Sequence, residues 1–127
     1  MVKRVIIIDD DPISNLVSET MMRKNDFAEE LKVFLEPAEA LNYFQSEYNW
    51  NNGPPDYIFL DVQMPEISGW DFMKRYINIH ECAQEKPHII MLSANFNPED
   101  EAKARNHPMV RELITKPVNG FILERLK

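Results

Sequence analysis

Three short and almost entirely apolar runs set the strongest limit on what this chain can fold into. They lie at positions 5–8, 57–60 and 89–92, and they are rich in β-branched and aromatic residues. Continuous apolar runs of this length are typical of strands buried on both faces, as in a parallel sheet covered by helices. Segments 31–35 and 111–115 alternate in polarity, which predicts two further, partly exposed strands, the second suited to a sheet edge.

Helical patterns separate the predicted strands. Mostly apolar residues at helical spacing predict five helices with these stripes: Ile13, Leu16, Val17, Thr20 and Met21; Pro37, Leu41, Phe44 and Tyr48; Phe72, Met73, Tyr76, Ile77 and His80; Ala102 and Ala104; and Phe121, Ile122, Leu123 and Leu126. Asp11, Asn97 and Asn119 are expected to begin the first, fourth and fifth helices as N-caps. Strand and helix alternate five times, which predicts a doubly wound α/β fold, a (βα)5 parallel sheet, in one domain over residues 1–127.

Two segments depart from this regular alternation. The fourth helix has only Ala102 and Ala104 for an apolar face, which predicts a short helix held by few contacts. Segment 48–55 is polar and rich in proline and glycine, so it predicts a loop before the third strand. Trp50 in that loop is either a lid packed on its own preceding helix, which we favour, or a contact for a partner.

The charge balance and the apolar runs exclude several classes of protein. The 127 residues include 21 acidic and 14 basic side chains, a net charge of −7, and such a surface repels nucleic-acid phosphates. The longest apolar runs, of about five residues, are far shorter than the ~20 needed to span a bilayer. The N-terminus lacks a signal-peptide pattern, and the single cysteine, Cys82, fits a reducing compartment. We therefore expect a cytoplasmic domain that binds neither nucleic acid nor membrane.

Polar residues follow the predicted strands at the points where the strands end. Residues 9–11 are aspartates after the first strand, and Asp61, Ser93 and Lys116 follow the third, fourth and fifth strands. Because ligands bind outside the carboxyl ends of the strands in an open parallel sheet, we expect these side chains to converge. Each residue alone has an ordinary structural explanation, such as helix capping by Asp11, but the coincidence of all of them does not.

Three of these side chains indicate a metal ion. Asp9, Asp10 and Asp61 crowded at one edge repel one another, and a divalent cation would relieve that repulsion. An oxygen-only set with few protein ligands favours Mg²⁺, and the three histidines are too scattered for a zinc site. A carboxylate in such a site can itself be the nucleophile toward phosphorus. The residues therefore predict an Mg²⁺-dependent site that handles phosphoryl groups.

Four segments together resemble the receiver domain of two-component response regulators. They are 5–11 (VIIIDDD), 59–69 (FLDVQMPEISG), 88–94 (HIIMLSA) and 114–118 (ITKPV), which occur in the family's order and at near-standard spacing. The resemblance covers the whole chain. It implies a flavodoxin-like sheet with strand order 2-1-3-4-5, and a phosphoacceptor signalling module that catalyses only its own phosphorylation and dephosphorylation.

The resemblance assigns roles to the acidic residues. Asp61 matches the acceptor of a phosphoryl group from a histidine kinase or a histidine phosphotransfer protein. Asp9 and Asp10 match the acidic pair that holds Mg²⁺ together with Asp61 and the backbone carbonyl of Gln63. These roles agree with the chemistry, because phosphoryl transfer needs mostly positioning and charge neutralisation from the protein.

The resemblance also assigns the remaining polar residues of the site. Ser93 matches the hydroxyl residue that hydrogen-bonds the phosphoryl oxygen, and Lys116 matches the lysine of the motif. Backbone amides near Val62 and Ala94 are expected to complete the binding of the phosphoryl oxygens. The peptide bond between Lys116 and Pro117 is expected to be cis, as it commonly is in the family.

Two positions depart from the family pattern. Leu113 stands where the family often has an aromatic residue, three positions before the lysine, whose inward swing accompanies phosphorylation. A ring-based switch is therefore not expected here. The segment 106–110 lacks the small residues and glycine often seen before the fifth strand, so a differently shaped loop is expected there.

Two other interpretations remain open from the sequence. The first is an Mg²⁺-dependent phosphohydrolase of the haloacid dehalogenase type, whose D-x-D motif residues 9–11 satisfy, although such enzymes are longer and carry a late acidic motif. The second is a degenerate receiver used as a scaffold, which the complete residue set argues against. Only eleven residues follow Lys116. We therefore expect a stand-alone receiver that signals to an unknown downstream protein through its fourth helix, fifth strand and last helix.

Overall fold

The five predicted strands are present and form a single parallel sheet. They are Val2–Ile8 (β1), Ala28–Phe34 (β2), Tyr57–Asp61 (β3), His88–Ser93 (β4) and Val110–Thr115 (β5). Their order in the sheet is β2-β1-β3-β4-β5, which confirms the predicted doubly wound fold and places β5 at an edge. This computed structural model describes residues 2–79, 87–95 and 97–127. His80 and Cys82, named above, lie outside the described residues.

Across the described residues, five α-helices connect and follow the strands. They are Pro12–Lys24 (α1), Pro37–Ser46 (α2), Gly69–Ile79 (α3), Pro98–Asn106 (α4) and Gly120–Leu126 (α5). The side chains of Asp11, Asn97 and Asn119 accept hydrogen bonds from amides in the first turns of α1, α4 and α5, which confirms the three predicted N-caps. Within the described ranges, we find no helix whose length and apolar content would let it cross a bilayer.

Two apolar layers explain why the central strands read as continuous apolar runs. Alternate residues of each strand face opposite sides of the sheet. One side packs against α2 and α3, and its core includes Ile6, Ile8, Ile58, Leu60, Phe44, Phe72 and Tyr76. The other side packs against α1 and α5, and its core includes Val5, Ile7, Phe59, Leu92, Met22, Leu123 and Leu126. With helices on both faces, neither set of side chains meets water.

The loop before β3 is held by aromatic contacts. The Trp50 ring lies 4.4 Å from the Tyr48 ring, measured between centroids, and 5.9 Å from the ring of Phe44 in α2. Its indole Nε1 also donates a hydrogen bond of 3.0 Å to the Phe44 carbonyl. This packing confirms the interpretation of Trp50 as a lid on its own preceding helix.

The predicted apolar stripe of α1 is wrong in its orientation. Ile13 is 73% exposed and Leu16 is 65% exposed, whereas Asn15, Ser18 and Met22 are buried. The reason is polar: the Asn15 side chain donates a hydrogen bond of 2.7 Å to the Asp9 carbonyl, which turns that face of the helix toward the sheet. At α5, the expected Leu123 and Leu126 are buried, whereas Phe121 is 79% exposed.

Helix α4 packs against the rest of the domain through few residues, as its sequence predicts. It has nine residues, and only Asp100 and Ala104 are buried, while Ala102 is exposed. Local interactions stabilise it: the Asn97 cap, acidic residues in its first turn, and an ion pair between Arg105 and Glu101.

Candidate functional site

The topology of the sheet brings the predicted polar residues to one edge. The chain passes from β1 outward to β2 and then returns to β3 on the other side of β1, so β1 and β3 flank the switch point where ligands bind in open α/β sheets. Asp9 follows β1, and Asp61 is the last residue of β3. Ser93 ends β4, and Lys116 directly follows β5.

Three carboxylates at this edge form a group that could hold a metal ion. Asp9, Asp10 and Asp61 each offer an oxygen, and these oxygens all lie within 4.8 Å of one another. Asp9 and Asp61 are buried, at 0% and 5% exposure, whereas Asp10 is accessible to solvent. A hard oxygen-only cluster with one open side fits Mg²⁺, which uses few carboxylates and retains water ligands.

Asp9 is the most completely engaged of the three carboxylates. Its Oδ2 contacts the Lys116 ammonium at 2.7 Å and accepts a hydrogen bond of 2.6 Å from the Ser14 hydroxyl, while its Oδ1 accepts from the Asp11 amide at 3.0 Å. Burial alone would raise the pKa of Asp9, but these bonds from Lys116, Ser14 and Asp11 hold it below its usual range. Sequence reasoning missed Ser14, whose only signal is its position in the first turn of the helix after Asp9.

Asp61 has fewer partners and is destabilised as an anion. Its Oδ1 accepts a hydrogen bond of 3.2 Å from the Gln63 amide, and its Oδ2 lies 3.4 Å from the Lys116 ammonium. Burial and the neighbouring charge of Asp9 raise the pKa of Asp61 to about 7, although Lys116 opposes this effect. In the absence of a cation, Asp61 therefore takes up a proton more readily than Asp9 does.

Lys116 lies between the two buried carboxylates. Burial disfavours its charged form, but the interactions with Asp9 and Asp61 raise the pKa of Lys116 above its usual value. Its backbone amide donates to the Ser93 carbonyl at 2.8 Å, which aligns the ends of β4 and β5. The peptide bond between Lys116 and Pro117 is cis, as expected.

The backbone amides that follow Asp61 have different partners. Of the backbone amides near Val62, the Val62 amide itself donates to the Leu92 carbonyl at 2.9 Å because β3 pairs with β4 there. The amide that faces the Asp61 carboxylate belongs to Gln63. The Ser93 hydroxyl donates to the Asn95 carbonyl, so a ligand that uses Ser93 must redirect this hydroxyl.

A cleft of about 400 Å³ opens above these residues. It is lined by Asp10, Asp11, Asp61, Val62, Gln63, Ser93, Ala94, Asn95, Asn97, Asp100 and Lys116. All the predicted site residues except the fully buried Asp9 therefore reach one space. Asp100, in the first turn of α4, was not predicted to reach it, because its sequence context reads as an ordinary acidic helix start.

The family model described as the response regulator receiver domain matches residues 5–125. The chain belongs to the response regulator receiver family. Receiver domains are signalling modules of two-component systems, they work with histidine kinases, and they bind Mg²⁺ at an acidic cluster such as the one formed here by Asp9, Asp10 and Asp61. This membership favours a signalling role over the phosphohydrolase considered from the sequence.

Individual relatives agree with this assignment. This receiver domain is 30% identical over 94 residues to the chemotaxis protein CheY of Bacillus subtilis, covering 74% of this chain and 69% of that protein. It is 28% identical over 119 residues to protein-glutamate methylesterase/protein-glutamine glutaminase 3 of Burkholderia thailandensis, covering 93% of this chain but only 30% of that protein. A crystal structure of a two component response regulator from Cytophaga hutchinsonii is similar at a TM-score of 0.88 and 28% identity, covering 98% of this chain and 93% of that one.

Proposed function

We propose that this receiver domain accepts a phosphoryl group on Asp61 from the phosphohistidine of a kinase or phosphotransfer protein. We further propose that a downstream protein reads the phosphorylated state through the surface formed by α4, β5 and α5, here named the output surface. The observation that supports the acceptor role most directly is the cluster of Asp9, Asp10 and Asp61, paired with Lys116 at one edge of the sheet.

The proposed reaction is a displacement at phosphorus. A carboxylate oxygen of Asp61 forms the new O–P bond while the donor's N–P bond breaks. The donor imidazole leaves with the electron pair of that bond and takes up a proton from solvent. Asp61 must be ionised to attack, and its buried position beside Asp9 works against ionisation.

The metal ion fits this need. Asp10 and Asp61, with the backbone carbonyl of Gln63, would hold Mg²⁺ directly. The buried Asp9 would complete the acidic group that holds the ion. When bound, Mg²⁺ would neutralise carboxylate charge and the charge on the transferring phosphoryl oxygens.

The chain's own polar groups complete the site. Lys116 lies 3.4 Å from Asp61, so its ammonium would pair with a phosphoryl oxygen added there. The Gln63 amide already faces the acceptor carboxylate. Ser93 lines the same cleft, and its hydroxyl would turn from the Asn95 carbonyl to donate to the phosphoryl group.

The donor must approach the open side of the cleft. Ile13 and Leu16 lie in the first turns of α1, which begins directly after the acidic residues, and both side chains are largely exposed. Exposed apolar side chains beside a reactive group favour docking of another protein. We therefore propose that the donor contacts this part of α1.

The output surface is supported by packing and by charge. A groove of about 460 Å³ between α4 and β5 reaches Ser93 and is lined by both charged and apolar side chains, including Arg105, Glu112 and Leu113. Residues 96–127 hold five acidic and six basic side chains, whereas residues 1–95 hold sixteen acidic and eight basic ones. This part of the chain therefore repels an acidic partner, or a second copy, less than the rest does.

Intact-mass measurement tests the acceptor role. With Mg²⁺ and phosphoramidate, a small P–N donor, the wild-type chain should gain one phosphoryl group, and EDTA should prevent the gain. Asp61→Asn should show none. The matched control is Asp56→Asn, which changes an exposed aspartate just before the same strand, at its opposite end, and should label like the wild type.

Two results would contradict the proposal. Equal labelling of the wild type and Asp61→Asn would show that another residue is the acceptor. No labelling of any variant, together with no Mg²⁺ binding, would favour the degenerate scaffold instead.

A further inference from the structure

One polar contact joins α3 to α4 beside the phosphoryl cleft. The indole Nε1 of Trp70, the second residue of α3, donates a hydrogen bond of 3.0 Å to Oδ1 of Asp100 in the first turn of α4. The ammonium of Lys103, one helical turn later, lies 5.9 Å from the centre of the Trp70 ring, within the range of a cation–π contact. Two residues of α4 therefore hold one side chain of α3.

Asp100 also belongs to the cleft of the acceptor site. It is buried, at 9% exposure, and it lines the same space as Asp61 and Lys116. Among the described residues, Asp100 forms no ion pair, since Lys116 pairs with Asp9 and Asp61 instead. Within the same described ranges, the Trp70 indole is the side chain that hydrogen-bonds this carboxylate.

The two helices differ in how firmly they are attached near this contact. Gly69, directly before Trp70, lies so close to β3 that an added Cβ would come within 2.5 Å of the Asp61 carbonyl oxygen, so the start of α3 is fixed against the acceptor strand. On α4, by contrast, Ala104 is the one buried apolar residue among those described. A loss of the Trp70–Asp100 bond would therefore move α4 and leave α3 in place.

We propose that the Trp70–Asp100 hydrogen bond is a latch between α3 and α4 that phosphorylation of Asp61 opens. This inference rests on the proposed phosphoacceptor function. A phosphoryl group on Asp61 adds negative charge to the cleft that Asp100 lines, and repulsion between like charges moves the Asp100 carboxylate outward. Helix α4 follows, Trp70 loses its acceptor, and the groove between α4 and β5 changes shape. The latch would couple phosphorylation of Asp61 to the position of α4. Leu113 has no ring or polar group with which to do so.

The latch can be tested with the indole as its own reporter. The chain has two tryptophans, so Trp50→Phe leaves Trp70 as the only one. With Mg²⁺ and beryllofluoride, a phosphoryl mimic, Trp70 emission should shift to longer wavelength as the indole leaves its buried partner. Amide exchange in residues 98–106, measured on the wild-type chain in case Trp50→Phe folds poorly, should become about tenfold faster, as expected for loss of a hydrogen bond to a charged group.

Two matched variants separate the charge of Asp100 from its shape. Asp100→Asn keeps an oxygen that can accept the indole hydrogen bond but removes the charge that the phosphoryl group repels. It should bind beryllofluoride, yet lose both the emission shift and the faster exchange. Glu99→Gln removes the same charge from the preceding, exposed position, which lies outside the cleft lining, and should respond like the wild type. Trp70→Phe should show fast exchange in residues 98–106 before any mimic is added.

The outcomes distinguish the latch from the function on which it rests. Bound beryllofluoride is detected independently by its fluorine NMR signal. If it binds and Asp100→Asn responds like the wild type, or Trp70 emission does not change, the latch is overturned while the acceptor function stands. If the wild type neither binds beryllofluoride nor gains a phosphoryl group by mass, the acceptor function fails and the latch fails with it.

Discussion

Helices α3 and α4 begin at the same edge of the sheet and border the same cleft, but they are held in different ways. Phe72, Met73 and Tyr76 of α3 are almost completely buried in the core. Helix α4 buries the methyl group of Ala104 and the carboxylate of Asp100, contacts α3 through Trp70, and otherwise depends on its cap and its own charged residues. Apolar packing therefore fixes α3, whereas local interactions keep α4 helical and a few polar contacts hold its position.

This difference shows how a small domain can combine a rigid site with a movable surface. The acceptor needs fixed neighbours, because phosphoryl transfer depends on positioning. The output surface needs an element with few contacts, because a modest change in free energy can then displace it. Differences of about 1–3 kcal/mol are enough to change a partner's affinity by 5–150-fold.

The largest effect should come from breaking the attachment of α3. Phe72→Ala removes a fully buried ring from the layer between α3 and the sheet. We expect a loss of about 3–5 kcal/mol in the free energy of unfolding, measured by urea denaturation. A loss below about 1 kcal/mol would mean that α3 is as loosely held as α4, and the contrast between the two helices would be wrong.

The second effect concerns how the stability of the fold depends on pH through the buried Asp61 carboxyl. Asp61 has a pKa of about 7 in the folded chain against an ordinary value of 3.8, so the folded state binds more protons between these values, and its stability falls as the pH rises from about 4 to 7. Asp61→Asn removes this penalty. In EDTA, we expect the variant's advantage in unfolding free energy over the wild type to grow by about 2.5 kcal/mol between about pH 5 and pH 8.

The exposed Asp71 provides the control for that measurement. Asp71→Asn removes a carboxylate from the first turn of α3 without touching the buried group. An Asp61→Asn advantage that is constant with pH, or that shrinks as the pH rises, would contradict the buried, proton-binding state of Asp61.

The smallest effect tests how much stability α4 gains from its one buried methyl group. Ala102→Gly and Ala104→Gly carry the same penalty in helix propensity, about 1 kcal/mol, but only Ala104 also buries its methyl group. Ala104→Gly should therefore destabilise residues 98–106 by about 0.8 kcal/mol more than Ala102→Gly, measured by amide exchange. Equal effects would mean that α4 gains nothing from the core, and a difference of several kcal/mol would mean that it is anchored like α3.

Much of the fold could be predicted because the strands are buried on both faces. A continuous apolar run such as 57–60 has few structural alternatives when helical patterns flank it, and the strand ends then determine where Asp61 and Ser93 lie. The site residues could be predicted for the same reason, since parallel strands bring their carboxyl ends together. Their family match adds specificity that no single residue provides.

The errors share a different physical cause. The orientation of α1 depends on a hydrogen bond from Asn15 to the Asp9 carbonyl, and no periodicity of apolar residues reports such a bond. Which amide near Val62 is free to face Asp61 depends on strand register, because pairing with β4 uses the Val62 amide itself. Ser14, Trp70 and Asp100 join the site through side-chain contacts between elements distant in sequence or through a single helical turn. Polar tertiary contacts of this kind leave little trace in a single sequence.

The missing side chain at position 69 also determines the precision of the site. The start of α3 meets the Asp61 carbonyl backbone to backbone, with no room for even one methyl group. A contact between two backbones cannot be relaxed by a change of side-chain rotamer. The distance between the acceptor strand and α3 is therefore fixed as closely as other distances in the packed interior. Any larger residue at this position would shift either the helix or the reactive carboxylate. The position of the Asp61 carboxylate therefore depends on residue 69 having no Cβ.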